Sequence, residues 1–336
     1  MCIFLNYNSS SMCDTPVISV IVPAYNAMPY LPKLIESLKL QTFNNWEMVC
    51  VDDCSTDGTW EYLQQVSATD ARIRIHQLPR NSGSAKIPRD TAAKLSSAAW
   101  LCPIDADDWI EPQYMEILLQ KQKETQADMV LSSCIQVDAA GGKELERIPA
   151  GDFDLSKIYS SEEAINLTLR AWKISLAGAL IPKFVWCNSE VFMDSEFTHL
   201  NADEYSSREL LGSVESIVCS TAKYFYRMHS GSVTHDNTRS AEQIYTDYRL
   251  FQYARKKFSH RTVLRTYSRY IEGLFSITKK ILRKVYPVSP DVLDYIKAAL
   301  SGLNALDIWR TDLPVSIRIK YIVRLKHYKS SLEKIS

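Results

Sequence analysis

The sequence lacks the patterns that mark membrane-spanning, secreted and zinc-binding proteins. No run of about twenty apolar residues is present, so no segment is expected to cross a bilayer. The start of the chain has neither the basic segment nor the apolar length of a signal peptide. Its 8 cysteines are scattered, without a Cys-x-x-Cys pair or a Cys/His cluster, so zinc is not expected. Free thiols in a reducing cytosol are the better interpretation, and we expect a cytoplasmic protein.

Two nucleotide-binding signatures are also absent after the first apolar run, at residues 17–22. The chain continues there with Pro23-Ala24-Tyr25-Asn26, which is not the Gly-x-Gly-x-x-Gly loop of a dinucleotide-dependent oxidoreductase. It is equally unlike the Gly-rich, Arg-containing loop expected of a sugar-1-phosphate nucleotidyltransferase. Both enzyme classes are therefore disfavoured.

Charged residues divide the chain into two regions of opposite sign. The whole sequence of 336 residues is neutral, with 39 Lys and Arg against 39 Asp and Glu. Residues 254–336 hold 18 Lys and Arg against 6 Asp and Glu, a net charge of +12, so residues 1–253 carry −12. An acidic body and a basic end indicate different surfaces. With 46% hydrophobic residues, the chain is long enough for one large domain and a smaller one.

Strand and helix patterns alternate with short loops over the first half of the chain. This alternation predicts an α/β fold with a mainly parallel central sheet flanked by helices. Residues 1–14 are predicted to be a disordered lead-in, and residues 239–336 a mostly helical, basic C-terminal region. The predicted strands are residues 17–22, 46–51, 73–75, 98–104, 129–137, 217–219 and 224–226, and predicted helices include residues 31–40, 84–97 and 161–172.

The most informative stretch is Asp105-Ala106-Asp107-Asp108, which directly follows one of these predicted strands. Carboxylates so close together raise one another's pKa unless a positive charge lies among them. Asp105 and Asp107 fall on the same side of an extended segment, whereas Asp108 points elsewhere or begins a turn. Such a pair suits Mg²⁺ or Mn²⁺ with a diphosphate as a further ligand. The alternative is an acidic loop that is simply solvated.

Two other groups of side chains suit a nucleotide. Asp53 can accept a hydrogen bond from a pyrimidine or a ribose, and Tyr25 can stack on a base, although Asp53 could also cap the next helix. Lys86 and Arg89 lie at the start of a predicted helix, a place that favours phosphate. The alternative for both is an ordinary basic helix surface.

Three loops with these chemical signals, at residues 23–26, 52–57 and 105–108, each follow a predicted strand. In parallel sheets, ligands bind outside the carboxyl ends of the strands. We therefore expect the three loops to converge on one crevice and to form a single site.

Five segments follow one another in a distinctive order and spacing. They are VISVIVPAYN at residues 17–26, QTF at 41–43, VDDCSTDGT at 51–59, NSG at 81–83 with Arg89, and DADD at 105–108. Together they resemble the family 2 glycosyltransferases of bacteria, which have the GT-A nucleotide-sugar-binding fold. The resemblance covers residues 15–130 strongly and residues 195–235 more weakly, and the combination is far more specific than any single motif.

The resemblance implies a GT-A domain at residues 15–238, with a nucleotide-sugar half at 15–130 and an acceptor half at 131–238. It implies inverting transfer of a sugar from a nucleotide-sugar, UDP-linked by family habit, to an acceptor hydroxyl. A glycan or lipid-linked acceptor in polysaccharide or surface-glycan synthesis would fit this chemistry. Mn²⁺ or Mg²⁺ is the implied cofactor, because the metal neutralises the diphosphate leaving group.

The resemblance also implies roles for individual residues at matching positions. Asp53 would hold the base, the loop around Tyr25 would form the other wall of its pocket, and either His229 or His235 could add a metal or diphosphate ligand. The candidate positions are Pro23, Tyr25, Asn26, Asp53, Lys86, Arg89, Asp105 and Asp107 for the nucleotide-sugar, and Asp105, Asp107, Asp108 and His235 for the metal.

Inverting displacement also needs a general base to take the proton of the acceptor. In the family this is an Asp just before a helix in the second half of the domain, and the matching segment is NADEY at residues 201–205. Asp203 is the candidate catalytic residue, with Glu204 as the fallback. Asp203 could instead be only a helix N-cap.

Three positions depart from the family pattern. Cys54 stands where a Gly usually follows the VDD motif, Pro88 where an Ala usually precedes Arg89, and Ala202 where a Glu usually precedes the base. A non-catalytic relative that binds a nucleotide or a glycan without turnover is therefore the alternative function.

The C-terminal region lies outside the resemblance. Residues 315–326 (VSIRIKYIVRLK) mix aliphatic and basic residues, as does a helix that docks on an anionic membrane leaflet. Peripheral contact with the inner face of the membrane would bring the protein to a lipid-linked acceptor. The alternative is a helical cap packed on the catalytic domain. Nucleic acid is not an expected partner, because no recognised motif accompanies the basic charge.

Overall fold

A computed structural model gives the fold of most of the chain. The described residues are 15–149, 154–169, 173–193, 202–229, 239–283 and 289–335. The predicted lead-in at 1–14 and His235 lie outside them, and the predicted domain boundaries after residues 130 and 238 stay predictions. In the part of the chain that is described, no helix combines the length and the apolar character needed to cross a membrane.

The described residues form ten strands and thirteen helices. The strands are β1 (Ile18–Ala24), β2 (Trp46–Asp52), β3 (Ile73–Gln77), β4 (Trp100–Pro103), β5 (Trp109–Ile110), β6 (Met129–Val137), β7 (Glu144–Ile148), β8 (Ile158–Ser160), β9 (Ile181–Pro182) and β10 (Ser216–Arg227). The helices are α1 (Leu31–Lys39), α2 (Thr59–Thr69), α3 (Lys86–Leu95), α4 (Tyr114–Thr125), α5 (Ser161–Thr168), α6 (Lys183–Cys187), α7 (Glu190–Met193), α8 (Ala202–Gly212), α9 (Arg239–Lys257), α10 (His260–Leu282), α11 (Pro290–Gly302), α12 (Ala305–Trp309) and α13 (Val315–Leu332).

The first sheet has the strand order β3-β2-β1-β4-β9. β1 runs parallel to β2 and β4, β2 runs parallel to β3, and the short β9 is antiparallel to β4 at the edge. This confirms the predicted mainly parallel central sheet. Ala24 lies opposite Asp52 and Ile21 lies opposite Pro103, so the carboxyl ends of three neighbouring strands meet along one edge.

Both faces of β1 and β2 are buried, as is usual for parallel strands that carry helices on either side. On one side, Leu31, Leu34 and Leu38 of α1 pack into the core beneath the sheet. On the other side, α3 contributes Ala92 and Ala93, whose small side chains belong to the second core cluster. This packing fixes the sheet and therefore the loops at its carboxyl edge.

A second sheet has the order β5-β10-β6-β7, with β8 attached to β10. The sequence predicted two short strands at 217–219 and 224–226, but β10 is one long strand with an irregularity between Cys219 and Lys223. In the segment between them, the buried hydroxyl of Ser220 donates a hydrogen bond to the backbone oxygen of Leu131 on β6, at 2.9 Å.

The described residues from 239 onward are helical, as predicted, and have a core of their own. That core includes Ile271, Leu274, Phe275 and Ile296, and the ring of Phe275 stacks on Tyr321 with 4.3 Å between ring centroids. Helix α13 packs on α10, α11 and α12, while α9 packs on both α10 and α8. The C-terminal helices are therefore joined to the sheet domain through α8 and, at Asn166, through α5.

Candidate active site

The sheet brings the three chemically suggestive loops to one edge. The backbone N–H of Asp53 donates to the carbonyl of Ala24 at 2.8 Å, and that of Ile104 donates to the carbonyl of Ile21 at 3.1 Å. Because β1 lies between β2 and β4, the loops at 52–57 and 104–108 lie on either side of the loop that follows β1. The geometry therefore agrees with the expected convergence on one crevice.

Asn26 ties the first loop to the second. Its backbone N–H donates to the Ser55 hydroxyl at 2.9 Å, and its side-chain oxygen accepts from the backbone N–H of Thr56 at 2.8 Å. Asn26 has a φ of +47°, in the left-handed region that Asn adopts more easily than most residues. The neighbouring residue Tyr25 is 55% exposed. Asn26 thus shapes the loop, and Tyr25 offers an aromatic face.

Asp53 is buried at the end of β2, where it holds another turn. One carboxylate oxygen accepts from the backbone N–H of Ser82 and the other from the Ser82 hydroxyl, both at 2.8 Å. The side-chain amide of Asn81 donates to the backbone oxygen of Asp53 at 3.1 Å. Asp53 therefore fixes the turn at 81–83 against the strand ends, and its contact with a base stays a prediction. Pro23 lies within β1, next to this edge.

The acidic loop divides into carboxylates with different surroundings. Asp105 is accessible and pairs with Arg89 of α3, with 2.7 Å between Oδ1 and Nη2. Asp108 is buried, where it accepts from the Tyr224 hydroxyl at 2.6 Å and from the backbone N–H of Arg227 at 2.8 Å. Burial, together with the charges of Asp107 and Asp105, raises the pKa of Asp108 well above its ordinary value. Asp108 therefore turns away from the other two and anchors the loop to β10.

Asp107 faces the end of β10 and makes a contact that the sequence left open. Its Oδ2 lies 2.9 Å from Nε2 of His229, and the His229 ring stacks on Tyr30 with 4.7 Å between centroids. Arg227 donates from Nε to the backbone oxygen of Asp107 at 2.9 Å. Of the two histidines considered from the sequence, His229 is thus the one that the structure brings to the acidic loop, while His235 lies outside the described residues.

A metal would find a partial set of ligands here. Within the described ranges, no three side chains of His, Cys, Asp or Glu gather into a complete metal site. Asp107 and His229 offer one carboxylate and one imidazole, with Asp105 on the same loop. Mg²⁺ commonly takes few protein ligands and completes its coordination with substrate phosphates and water. These residues therefore fit a metal that binds together with a diphosphate.

A cavity of about 350 Å³ lies next to Asp105 and reaches towards α8. Its lining includes Lys86, Arg89, Asp105, Trp186 and Glu204. Lys86 is buried and its ammonium pairs with Asp90 at 2.8 Å, while the indole N–H of Trp186 donates to the same carboxylate at 3.0 Å. Lys86 therefore builds the wall of the cavity, and Arg89 directs its charge towards Asp105.

The candidate bases belong to the first turn of α8, where Glu204 lines the same cavity and the side chain of Asp203 lies outside the described ones. Asp203 directly precedes Glu204 in that turn. Glu204 Oε2 accepts from Arg208 at 2.8 Å, from Gln243 at 3.0 Å and from Arg269 at 3.1 Å. Burial raises the pKa of Glu204, but the charges of both arginines outweigh it and lower the pKa overall. A carboxylate held in this way is a weaker base than a free one, which counts against Glu204, and the role of Asp203 stays a prediction.

Sequence reasoning missed the partners that hold the site together. The hydroxyl of Tyr224 bridges the loop, because it accepts from the backbone N–H of Asp105 at 3.2 Å while it donates to Asp108. Tyr224 lies within residues 195–235, where the resemblance to the family is weaker. The sequence therefore marked this segment, but it did not identify the partner of Tyr224. Arg208 lies four residues after Glu204, a spacing at which side chains of a helix can pair. Arg269 lies 65 positions from Glu204 and offered no such signal.

Comparison with known proteins gives the family and its relatives. Residues 19–182 match the model of the family described as glycosyl transferase family 2. The chain is 27% identical over 221 residues to glycosyltransferase GlyG of Streptococcus pneumoniae, a match that covers 65% of this chain and 72% of GlyG. It is 33% identical over 125 residues to poly(ribitol-phosphate) beta-N-acetylglucosaminyltransferase TarS of Staphylococcus aureus, which covers 37% of this chain and 22% of TarS.

The solved structures give a match over nearly the whole chain. The crystal structure of TarS residues 1–349 from S. aureus in complex with UDP-GlcNAc superposes with a TM-score of 0.68 at 17% identity. It covers 94% of this chain and 90% of the TarS chain. This likeness concerns the fold, and it confirms the expected GT-A-type architecture with a helical C-terminal part.

Proposed function

The chain belongs to glycosyl transferase family 2, and we propose that it moves a sugar, with inversion, from UDP to a hydroxyl of a glycan or lipid-linked acceptor. The observation that carries the proposal is the Asp107–His229 pair, 2.9 Å apart, beside the Arg89–Asp105 pair at the carboxyl edge of the sheet. TarS, named for transfer of N-acetylglucosamine, has been solved with UDP and with UDP-GlcNAc, which supports a UDP-linked donor and a role in polysaccharide synthesis.

Donor binding would use the loops at the sheet edge. The exposed ring of Tyr25 would stack on the base, which adds a large contact area at low entropic cost. Asp53 would line the base pocket through the turn that it holds at residues 81–83. Arg89 would donate to the phosphate oxygens, for which its forked guanidinium is suited. The donor would then lie between the sheet edge and the cavity.

Mn²⁺ or Mg²⁺ would be held by Asp107 and His229, with Asp105 nearby, and would neutralise the charge that develops on the diphosphate. Asp105 would be released from Arg89 or shared with it as the donor enters. Asp108 would act through the loop, because its carboxyl group already bonds to Tyr224 and to the backbone of Arg227. These residues suit binding of the leaving group next to the part of the cavity that Asp105 lines.

The acceptor would enter the cavity from the side of α8. As its oxygen bonds to the anomeric carbon, the proton of the hydroxyl passes to the carboxylate of Asp203. The bond from the anomeric carbon to the diphosphate oxygen breaks at the same time, and its electron pair leaves with UDP. Such proton transfer to a positioned carboxylate contributes about a hundred- to ten-thousandfold in rate.

An assay of UDP release with a panel of UDP-sugars, with and without Mn²⁺, tests this proposal. The Asp203→Asn variant is expected to bind nucleotide like the wild type while kcat falls about a thousandfold, since the base is lost. The Asp107→Asn variant is expected to lose the Mn²⁺ dependence of nucleotide affinity. Thermal shift reports that affinity, since about 2.7 kcal/mol of stabilisation appears at a hundredfold excess over Kd.

The control for both variants is Glu215→Gln, a change at an exposed carboxylate after α8, which is expected to leave UDP release unchanged. Equal UDP release by the wild type and Asp107→Asn would contradict the proposed site. Nucleotide binding without any UDP release would instead support the alternative, a binding relative without turnover. Ala202 and the buried Pro88 in the first turn of α3 are the positions that favour this alternative.

Helix α13 suits contact with an anionic membrane at the cytoplasmic face. Val315, Ile319 and Val323 are exposed, by 51%, 50% and 72%, and their spacing of four residues aligns them along one side of the helix. The helix contains five Lys and Arg residues and no Asp or Glu. Its opposite side is buried at Leu325 and Tyr328. An apolar stripe among basic side chains is the pattern of helices that lie on anionic lipid, where a lipid-linked acceptor would be found.

A further inference from the structure

The first turn of α8 is held by the C-terminal helices as well as by the sheet domain. Glu204 accepts hydrogen bonds from Gln243 on α9 and Arg269 on α10, at 3.0 and 3.1 Å. Arg208, one turn later in α8, is fully buried and donates to the hydroxyl and the backbone oxygen of Thr168, at 3.1 and 3.0 Å. The candidate base Asp203 is therefore next to a residue that is fixed from several directions.

Arg269 joins three elements with one side chain. Its Nη2 pairs with Glu204, its Nε lies 2.6 Å from Oδ1 of Asp247 on α9, and its Nη1 donates to the backbone oxygen of Leu169 at 2.7 Å. Leu169 directly follows α5. A guanidinium presents its donors in a rigid, planar fork, so three such contacts fix direction as well as distance.

Four charged side chains balance one another in this network. Arg208 and Arg269 face Glu204 and Asp247, and Asp247 is only 3% exposed. Buried ion pairs are poor stabilisers compared with apolar side chains of similar size, because desolvation offsets their attraction. Packing alone would therefore be served equally well by apolar residues. What the charged network adds is a defined orientation for the first turn of α8.

We propose that Arg269 is a positioning residue: it fixes Glu204, and with it the turn that carries Asp203, so that the C-terminal helices complete the acceptor side of the active site. This inference rests on the proposed function of Asp203 as the base. It gives Glu204 a role as the receiver of these contacts in place of a role in proton transfer. It also gives α9 and α10 a part in catalysis, although they lie outside the family match at 19–182.

Loss of Arg269 is expected to affect turnover and not donor binding. Misplacement of a reacting group by about 1 Å can cost about a hundredfold in rate. The donor groups Arg89 and Asp105 pair with each other and belong to α3 and the acidic loop, not to α8. Loss of Arg269 is therefore expected to lower kcat while the affinity for UDP stays constant, a separation that general loss of folding would not produce.

The experiment compares Arg269→Gln, Arg269→Lys and Arg265→Gln in the full chain. Arg265 lies one turn earlier on α10 and donates to the side chain of Asn166 at 2.6 Å, so its replacement is the matched control. Initial rates of UDP release give kcat and KM, and isothermal titration with UDP gives Kd. We expect kcat to fall about a hundredfold in Arg269→Gln, about tenfold in Arg269→Lys and less than twofold in Arg265→Gln, with Kd within twofold throughout.

A double variant separates positioning from other effects. If Arg269 acts through Glu204, then Glu204→Gln lowers kcat to a similar extent, and the combined variant loses little more than either single one. Should Arg269→Gln fail to fold, Gln243→Ala removes one hydrogen bond from the same carboxylate without removing a charge. That variant is expected to lower kcat severalfold at unchanged Kd.

Three results would overturn the positioning role. They are an unchanged kcat in Arg269→Gln or, if it fails to fold, in Gln243→Ala, a parallel loss of UDP affinity, and independent effects of the Glu204 and Arg269 changes. If the wild type is active and Arg269→Gln has the same kcat, only the positioning role of Arg269 is wrong. A wild type that binds UDP but releases none from any UDP-sugar would remove the proposed function and the positioning role together.

Discussion

The sheet domain and the C-terminal helices carry opposite net charges, and they use charged side chains in different ways. In the sheet domain, acidic side chains such as Glu47, Asp53 and Asp108 are buried and hold backbone or side-chain donors in place. In the C-terminal helices, Lys320 and Lys326 of α13 are exposed to solvent. The net charges of −12 for residues 1–253 and +12 for residues 254–336 therefore accompany buried acidic anchors in the sheet domain and exposed basic side chains on α13.

Glu47 shows how much one buried carboxylate does in the sheet domain. It accepts from the hydroxyl of Ser19 on β1 and from the hydroxyl and backbone N–H of Ser97 before β4, all at 2.6 Å. Arg74 on β3 pairs with its other oxygen at 2.7 Å. Glu47 itself lies on β2, so it joins the four parallel strands near their amino ends, opposite the candidate active site.

Backbone packing also separates the two regions, and Gly178 is the position where the largest effect on stability is expected. Gly178 has a φ of +65°, and an added Cβ would collide with the Tyr114 hydroxyl and lie 2.6 Å from the Tyr224 ring. The Gly178→Ala variant is expected to lose about 4 kcal/mol of unfolding free energy, about 1 from the backbone and up to about 3 from overpacking. Urea unfolding measures this loss.

The matched control is Gly302→Ala in the C-terminal region. Gly302 ends α11, and an added Cβ would meet no heavy atom within 4 Å. Because Ala is the better helix former, this variant is expected to keep or gain stability, by up to about 1 kcal/mol. Equal losses in both variants would mean that the two regions tolerate added volume alike.

The second-largest effect on the free energy of unfolding is expected at Glu47, and this effect depends on pH. Burial raises its pKa, but hydrogen bonds from Ser19, Ser97 and Arg74 outweigh burial and lower the pKa from 4.5 to about 2. The stabilisation is therefore present above pH 4.5 and is lost as the pH falls towards 2. At about 1.4 kcal/mol per pKa unit, Glu47→Gln is expected to lose up to about 3 kcal/mol at pH 7. Urea unfolding at pH 7, 5 and 4 measures the difference.

The control for this prediction is Glu333→Gln, at an exposed position that follows α13. Substitutions at such surface positions usually change stability by less than about 0.5 kcal/mol, and no pH-dependent difference from the wild type is expected. If Glu47→Gln were as mild as the control, the buried carboxylate would not be the scaffold that its contacts suggest.

The fold could be predicted from the sequence where the signal is local. The buried run at 17–22 and the long apolar run at 129–137 became β1 and β6, and the helix predicted from residue 161 became α5, which Ser160 and Glu163 cap. The continuity of β10 could not be predicted, because its irregular middle is held through contacts with β6, such as that of the Ser220 hydroxyl with the Leu131 backbone oxygen, more than eighty residues away. Periodicity reports which residues are buried, but it does not identify their partners.

The candidate site shows the same division. The acidic loop, Asp53 and the start of α8 were identified from the order of motifs, because each motif is a local feature. The choice between His229 and His235 could not be made, since it depends on where the end of β10 lies relative to Asp107. The contact between Arg269 and Glu204 depends on helix packing in a region with no recognised motif. Sequence therefore indicated the candidate groups better than the groups that hold them in place.

The smallest effect on folding, and the clearest contrast with Glu47, is expected for the outer charges of α13. The variant Lys320→Gln/Lys326→Gln removes two exposed charges, so its unfolding free energy should change by less than about 0.5 kcal/mol. Its affinity for vesicles rich in anionic lipid should fall about thirtyfold at low salt, because each basic residue near such a surface contributes about 1 kcal/mol. Neutral vesicles are the control, and co-sedimentation measures both affinities.

A Val323→Asp variant should weaken binding as well, since the apolar stripe enters the interface together with the charges. Unchanged vesicle binding in both variants would mean that the basic charge of this region serves another surface.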